Sequence, residues 1–363
     1  MRRRDVARHV LHPHTLREGF ALKPQHYLRN AGLAGLQAAI AAAVALPAIY
    51  LSPWSHLIGF AALGTLVALF GRYAPPRRRN WILLCCTLLQ ASAVFVMSTA
   101  IWLGASPSVQ LALLALSCGA FFFVTVSTRF GPPGALIFVF AVGASMSPVP
   151  SFGVVMERTA VVIAVAALGW LVCALTETFR LQADDTRPFP AEPMRPLGSR
   201  VLASCGVILG AALAILTSHV LGAAYPAWAA MGALAVMQGA HLRISISRAV
   251  QRMAGTIVGA YLAWLVLTQE PSVWTLIAAI VALQFGTEVI IGANYGLGQI
   301  LVTPMALFMT HLASPSPAGA GMALERVVDT FLGAAIGLAL AVLFSSVTDR
   351  QVLARDADLR RKR

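Results

Sequence analysis

Residues 157–172 read ERTAVVIAVAALGWLV, and residues 325–340 read ERVVDTFLGAAIGLAL. The pair Glu-Arg occurs only at Glu157-Arg158 and Glu325-Arg326, 168 residues apart, each time at the head of a long apolar run. The same offset carries Gly64 onto Gly232, Gly71 onto Gly239 and Gly169 onto Gly337. Glycine is common in this chain and charge is scarce, so the recurring charges weigh more than the glycines. The spacing predicts a tandem duplication of one membrane unit.

Composition places that unit in a bilayer. Apolar residues make up 58% of the chain, charged residues 11%, and the mean hydropathy is +0.76, where a soluble domain carries roughly 25% charge. Runs of about 20 apolar residues span a hydrocarbon core. Six such runs fall at 31–51, 54–71, 81–104, 108–128, 132–148 and 154–175, and six more at 201–221, 225–240, 249–268, 272–291, 294–313 and 322–345. The runs at 132–148 and 225–240 are short enough to be tilted, broken or re-entrant. The fold expected is an all-α polytopic membrane protein, with about twelve transmembrane helices in two parallel six-helix repeats.

The basic residues fix the expected orientation, because cytoplasmic loops collect Lys and Arg. With both termini inside, 25 of the 27 fall on inside segments; only Arg158 and Arg326 fall outside. An even number of spans per repeat gives both halves the same orientation, related by an axis along the membrane normal. The net charge of +13 therefore reads as topology, not as nucleic-acid binding. The domain boundaries expected are a basic cytoplasmic arm at 1–30, a first six-span repeat at 31–175, a Pro-rich cytoplasmic linker at 176–200, a second six-span repeat at 201–345 and a basic tail at 346–363. The arm is too long before its first apolar run to be a cleaved signal. The linker holds Pro188, Pro190, Pro193 and Pro196, which favour an extended chain.

No phosphate-binding loop is present, which argues against ATP-driven transport by this chain alone. His9, His12 and His14 lie in the basic arm without Cys or carboxylate neighbours, so no metal is expected there. The five cysteines all fall in apolar runs without metal spacing and read as small apolar side chains. No cofactor is expected. No His and carboxylate cluster recurs within the spans, so an enzyme is the least favoured class. Four Gly-x-x-x-Gly pairs, at Gly206, Gly255, Gly292 and Gly333 and the glycines four residues on, predict close helix packing within the chain. Contacts of a homo-oligomer are their lesser use.

Ionisable groups inside a membrane are functional candidates by default. Glu325, Arg326 and Asp329 share one helical face. Asp329 has no counterpart in the first repeat, where Val161 stands. A proton-coupling carboxylate would break the symmetry in this way, whereas a structural ion pair with Arg326 is the plainer reading. Glu288 is a further proton-coupling candidate. Arg248 and Arg252 stack four apart and can grip a carboxylate, with positive-inside anchoring as the alternative. Tyr225, Trp228 and Gln238 precede them. Asn294 and Tyr295 lie in the glycine-rich join 292–298, which is either an unwound substrate-binding segment or an ordinary turn.

Trp228, Gln238, Arg248, Arg252-Met-Ala-Gly255-Thr256 and Gly259, with Arg326, Asp329-Thr330 and Gly333 downstream, resemble the fusaric acid resistance family over about 225–345. That family includes aromatic acid exporters of bacterial inner membranes and resembles plant aluminium-activated malate transporters. The resemblance implies an inner-membrane efflux transporter for aromatic carboxylates or similar organic anions, driven by protons and working with a periplasmic adaptor protein. Family members commonly carry a large cytoplasmic domain after each membrane block, whereas the linker here is about 25 residues. A passive organic-anion channel and a non-transporting membrane scaffold are the rival expectations.

Overall fold

The computed structural model describes residues 28–182, 194–239, 242–313 and 321–344, apart from the Arg243 side chain. The arm at 1–27, the linker core at 183–193, His241 and the tail beyond 344 lie outside the described residues.

Twelve helices and no strand are present among the described residues. We number them α1 (Leu28–Tyr50), α2 (Ile58–Thr65, flanked by 3-10 turns Ser55–Leu57 and Leu66–Leu69), α3 (Pro76–Trp102), α4 (Pro107–Thr128), α5 (Leu136–Ala144), α6 (Phe152–Leu175), α7 (Leu197–Val220), α8 (Ala227–Met237), α9 (Leu242–Leu267), α10 (Val273–Ile291), α11 (Tyr295–Ala313) and α12 (Gly321–Leu343). Nine are long and apolar enough to cross a bilayer; α2, α5 and α8 are not. The outer surface is apolar as well as the interior. The interior is rich in Ala, as at Ala38, Ala41, Ala61 and Ala68, while Leu84, Leu88, Trp170, Leu216, Tyr261 and Trp264 face outward. An outer surface this apolar needs lipid to cover it. This is an integral membrane protein.

Local chemistry explains the helix limits. Ser106, Ser151 and Ser272 cap α4, α6 and α10, each accepting a hydrogen bond from the backbone N–H three residues on. Pro76 and Pro107 occupy first-turn positions, where no N–H is needed. The run Gly131-Pro-Pro-Gly134 prevents α5 from starting earlier, which leaves it nine residues long. The short runs at 132–148 and 225–240 are therefore short helices. The run at 54–71 is also broken, which its apolar composition does not reveal. α3 and α9 begin earlier than their apolar runs, so Arg77–Arg79 are helical, and Arg248 and Arg252 lie four apart on one helix as expected.

In the first half, α1 packs on α2 and α6, α2 on α6, α3 on α5 and α6, and α4 on α5. In the second, α7 packs on α8 and α12, α8 on α12, α9 on α11 and α12, and α10 on α11. The halves meet through α1 on α10 and α4 on α7, and through α2 on α11 and α5 on α8.

Candidate functional site

The second half encloses a polar cluster between α7, α8, α9, α11 and α12. Arg252 lies ten residues along α9, about 15 Å from its start. It is buried, not at the solvated mouth of the helix. Its Nη1 donates to the Tyr295 hydroxyl and to Gln299 Oε1, both at 3.3 Å. One turn earlier the half-buried Arg248 stands 5.9 Å from the Tyr295 ring centre. The approach of α9 to α11 depends on Gly255, where a Cβ would meet the Gly296 carbonyl oxygen and Gln299 Cβ.

Arg326 enters from α12. Its guanidinium stands 5.3 Å from the Trp228 ring centre and within electrostatic reach of Arg252, Asp329 and Tyr295. Trp228 in turn stacks on Tyr225 at 4.6 Å. Glu325 accepts the Tyr225 backbone N–H at 2.6 Å and so fixes the start of α8. Asp329, 1% exposed, accepts a 2.7 Å hydrogen bond from Ser218 of α7 through Oδ1.

The cluster is under-satisfied. Arg326 is 2% exposed, and its Nε and Nη1 have no hydrogen-bond partner. The same holds for Arg252 Nε, Asp329 Oδ2 and the hydroxyls of Thr256 and Thr330. Neither Arg326 nor Asp329 forms an ion pair among the described residues, although they lie on one helix face. A buried cation without a partner is costly. An anion between the two guanidinium groups would relieve that cost.

Three of the expected residues have contacts of their own outside this cluster. Asn294 accepts the Leu297 N–H at 3.0 Å and caps α11, so the join 292–294 is a turn, not an unwound span. Gln238 lies about 15 Å along α8 from Trp228 and turns its amide oxygen towards Gly134. Glu288 is buried in an ion pair with Arg72.

That pair belongs to a second charged network, at the opposite end of α3 and α6 from the Glu157-Arg158 pair. Arg79 donates to Glu177 at 2.8 Å and to Gln37 at 2.6 Å, and Arg180 also pairs with Glu177. Burial acts to raise the Glu177 pKa, but the hydrogen bonds from Arg180 and Arg79 outweigh it and hold the carboxyl below its ordinary value. Asn30 bonds Leu181 in both directions, at 2.8 and 2.9 Å. The first residues of the linker are thus packed, not extended. Nothing in the sequence marks Arg72, Arg79 and Arg180 as a network, because clustered arginines read as topology. Ser218 carries no such mark either, since no Asp, Glu, Lys or Arg lies near it in sequence.

Residues 211–340 match the family model described as "Fusaric acid resistance protein-like". This match contains Trp228, Arg252, Arg326 and Asp329. The chain is also 35% identical over 134 residues to the "Uncharacterized membrane protein YvaC" of Bacillus subtilis (strain 168). The shared stretch is 37% of this chain and 21% of that protein, so the chain spans about a fifth of the relative's length. No solved structure matches it.

Proposed function

We propose that this fusaric acid resistance-like membrane protein is a secondary exporter of aromatic or other organic anions in the bacterial inner membrane, driven by protons. The carrying observation is the pair of buried arginines, Arg252 and Arg326, with unpaired donors between aromatic rings. In this reading the two guanidinium groups take the carboxylate, in the bidentate geometry that arginine favours. Trp228, stacked on Tyr225, and Tyr295 flank the ring of the substrate. Asp329 takes the proton. Arg248 draws anions to the mouth of α9. Glu325 holds the start of α8, and Glu288 belongs to the Arg72 pair and not to the proton path. A periplasmic adaptor and self-association are compatible with this reading and are not needed by it.

The architecture we propose is two tandem six-helix copies, 31–175 and 201–345, joined by 176–200, with both termini cytoplasmic; nine crossings are full helices, and the short α2, α5 and α8 make the other three together with the turns that flank them. Each packing pair named within the first half recurs in the second, six helices on. The contacts between halves also exchange under that shift, since α1 on α10 becomes α7 on α4. Residue contacts recur with the sequence offset as well. Arg158 stands over Phe60 at 4.8 Å, as Arg326 stands over Trp228. Gly64 abuts Val162 and Val165, as Gly232 abuts Thr330 and Gly333.

The test is flux of labelled 4-hydroxybenzoate into inverted membrane vesicles, with and without an imposed pH gradient. Gradient-dependent accumulation is expected. Arg252→Gln and Arg326→Gln should each weaken apparent affinity roughly 10- to 150-fold, the value of a hydrogen bond to a charged group. Arg248→Gln should do less. Equilibration that ignores the gradient would favour a passive channel. No flux of any organic anion would sink the transport reading.

A further inference from the structure

The first half has its own arginine over an aromatic ring, and a cavity lies beside it. About 460 Å³ opens where α1 and α11 end and α2, α6 and α10 begin. Tyr50, His56, Phe60 and Arg158 line it from the first half, and Val273 and Leu312 from the second. This volume suits a small organic ligand.

Arg158 is 7% exposed. It donates to the carbonyl oxygens of Ser147 and Pro148, at 3.3 and 2.9 Å. Its third neighbour is the Phe60 ring. All three are neutral. The adjacent Glu157 does not pair with it, because it is half-buried and turned to His56 at 3.3 Å. Arg158 has no carboxylate partner among the described residues. A nearly buried cation held only by neutral groups, on the wall of a largely apolar cavity, favours one ligand class: an anion with a flat apolar body.

We propose that this cavity is a second organic-anion site, built by the first half on Arg158 as the second half builds its own on Arg326. The proposal rests on the organic-anion reading above and adds a separate site at the interface of the halves. The ligand arrives from water, with its carboxylate on Arg158 and its ring between Phe60, Tyr50 and Leu312. The two sites differ in access. Arg326 is sealed within helices, whereas the Arg158 cavity opens at the end of the molecule.

The test uses the full chain in membranes with Ser55→Cys, a position on the cavity wall, labelled by a membrane-impermeant maleimide. The unsubstituted chain sets the background from its native cysteines. Saturating 2-naphthoate should slow labelling several-fold, and 2-naphthamide, the same body without the charge, should not. Protection should survive Arg326→Gln and disappear in Arg158→Gln. It should also disappear in Val154→Trp, which fills the cavity while keeping the arginine and so guards against a misfolded Arg158 variant. Equal protection by the amide, or protection that persists in Arg158→Gln, overturns the second site. So does absent protection in a chain that still moves 4-hydroxybenzoate. Absence of both protection and flux overturns the organic-anion reading along with it.

Discussion

Asp329 has one oxygen held by Ser218 and the other unpartnered. Its first-half equivalent is Val161. A carboxylate that only braced the fold would be expected to use both oxygens, since an unmade buried hydrogen bond costs about 1–3 kcal/mol. Asp329→Asn keeps the volume and an acceptor for Ser218 but cannot carry a proton. We expect this variant to lose gradient-driven accumulation of 4-hydroxybenzoate while still exchanging labelled for unlabelled anion. Unchanged accumulation would remove Asp329 from the mechanism. Sequence alone singles out Asp329, Arg326 and Arg252, because a charge within an apolar run is visible without a structure. It does not reveal their partners. Arg326 and Asp329 are three apart on one helix and look like an ion pair. Ser218 of α7 and Trp228 of α8, both distant in sequence, instead take one neighbour each. Glu288 shows the same limit: its Arg72 partner lies 216 residues away.

At the scale of elements, the long helices were legible and the short ones only in part. Length and hydropathy mark α1, α6 or α10 because a crossing needs a fixed number of apolar residues. α2 and α8 are buried on nearly all sides, so they carry no polar face whose period would mark where each helix stops. How the helices pack is written in the small residues. A Cβ at Gly333 would fall on the Ala229 carbonyl oxygen and close to the Ala233 backbone, and backbone cannot rotate away as a side chain can. Gly333→Ala should therefore destabilise by about 1–3 kcal/mol, the usual cost of overpacking, read as a lowered Tm in detergent. Gly198→Ala, where nothing lies within 4 Å of the added methyl, is the control. It should be neutral or slightly stabilising, since Ala is the better helix former. Equal effects at the two sites would mean that α8 and α12 do not approach as closely as described.

Across the whole molecule the two ends differ, and the difference has consequences for transport. At one end Arg72 of the first half is buried against Glu288 of the second, beside the Arg79–Glu177–Arg180 group and the Asn30–Leu181 bonds. At the other end the halves part around the Arg158 cavity. Arg72, Arg79 and Arg180, which the sequence assigns to cytoplasmic segments, lie at the closed end. Under that assignment the described conformation is sealed inside and open outside, as an exporter would be after releasing its load. Arg72–Glu288 crosses from one half to the other, so its loss should bias the balance between the two states. Removing one partner of a buried pair costs roughly 3–5 kcal/mol, enough to shift a two-state equilibrium by at least a hundred-fold. In Glu288→Ala the uncompensated Arg72 should drive the inner end apart and close the outer cavity. Impermeant maleimide should then label Ser55→Cys more slowly from outside. A cysteine placed at Ala74, buried two residues from Arg72, should label faster in inverted vesicles. If both rates stay unchanged while the Tm falls, the ion pair supports the fold without gating it. If both sites label faster, the halves have separated altogether, and the single rocking motion implied by matched repeats is excluded.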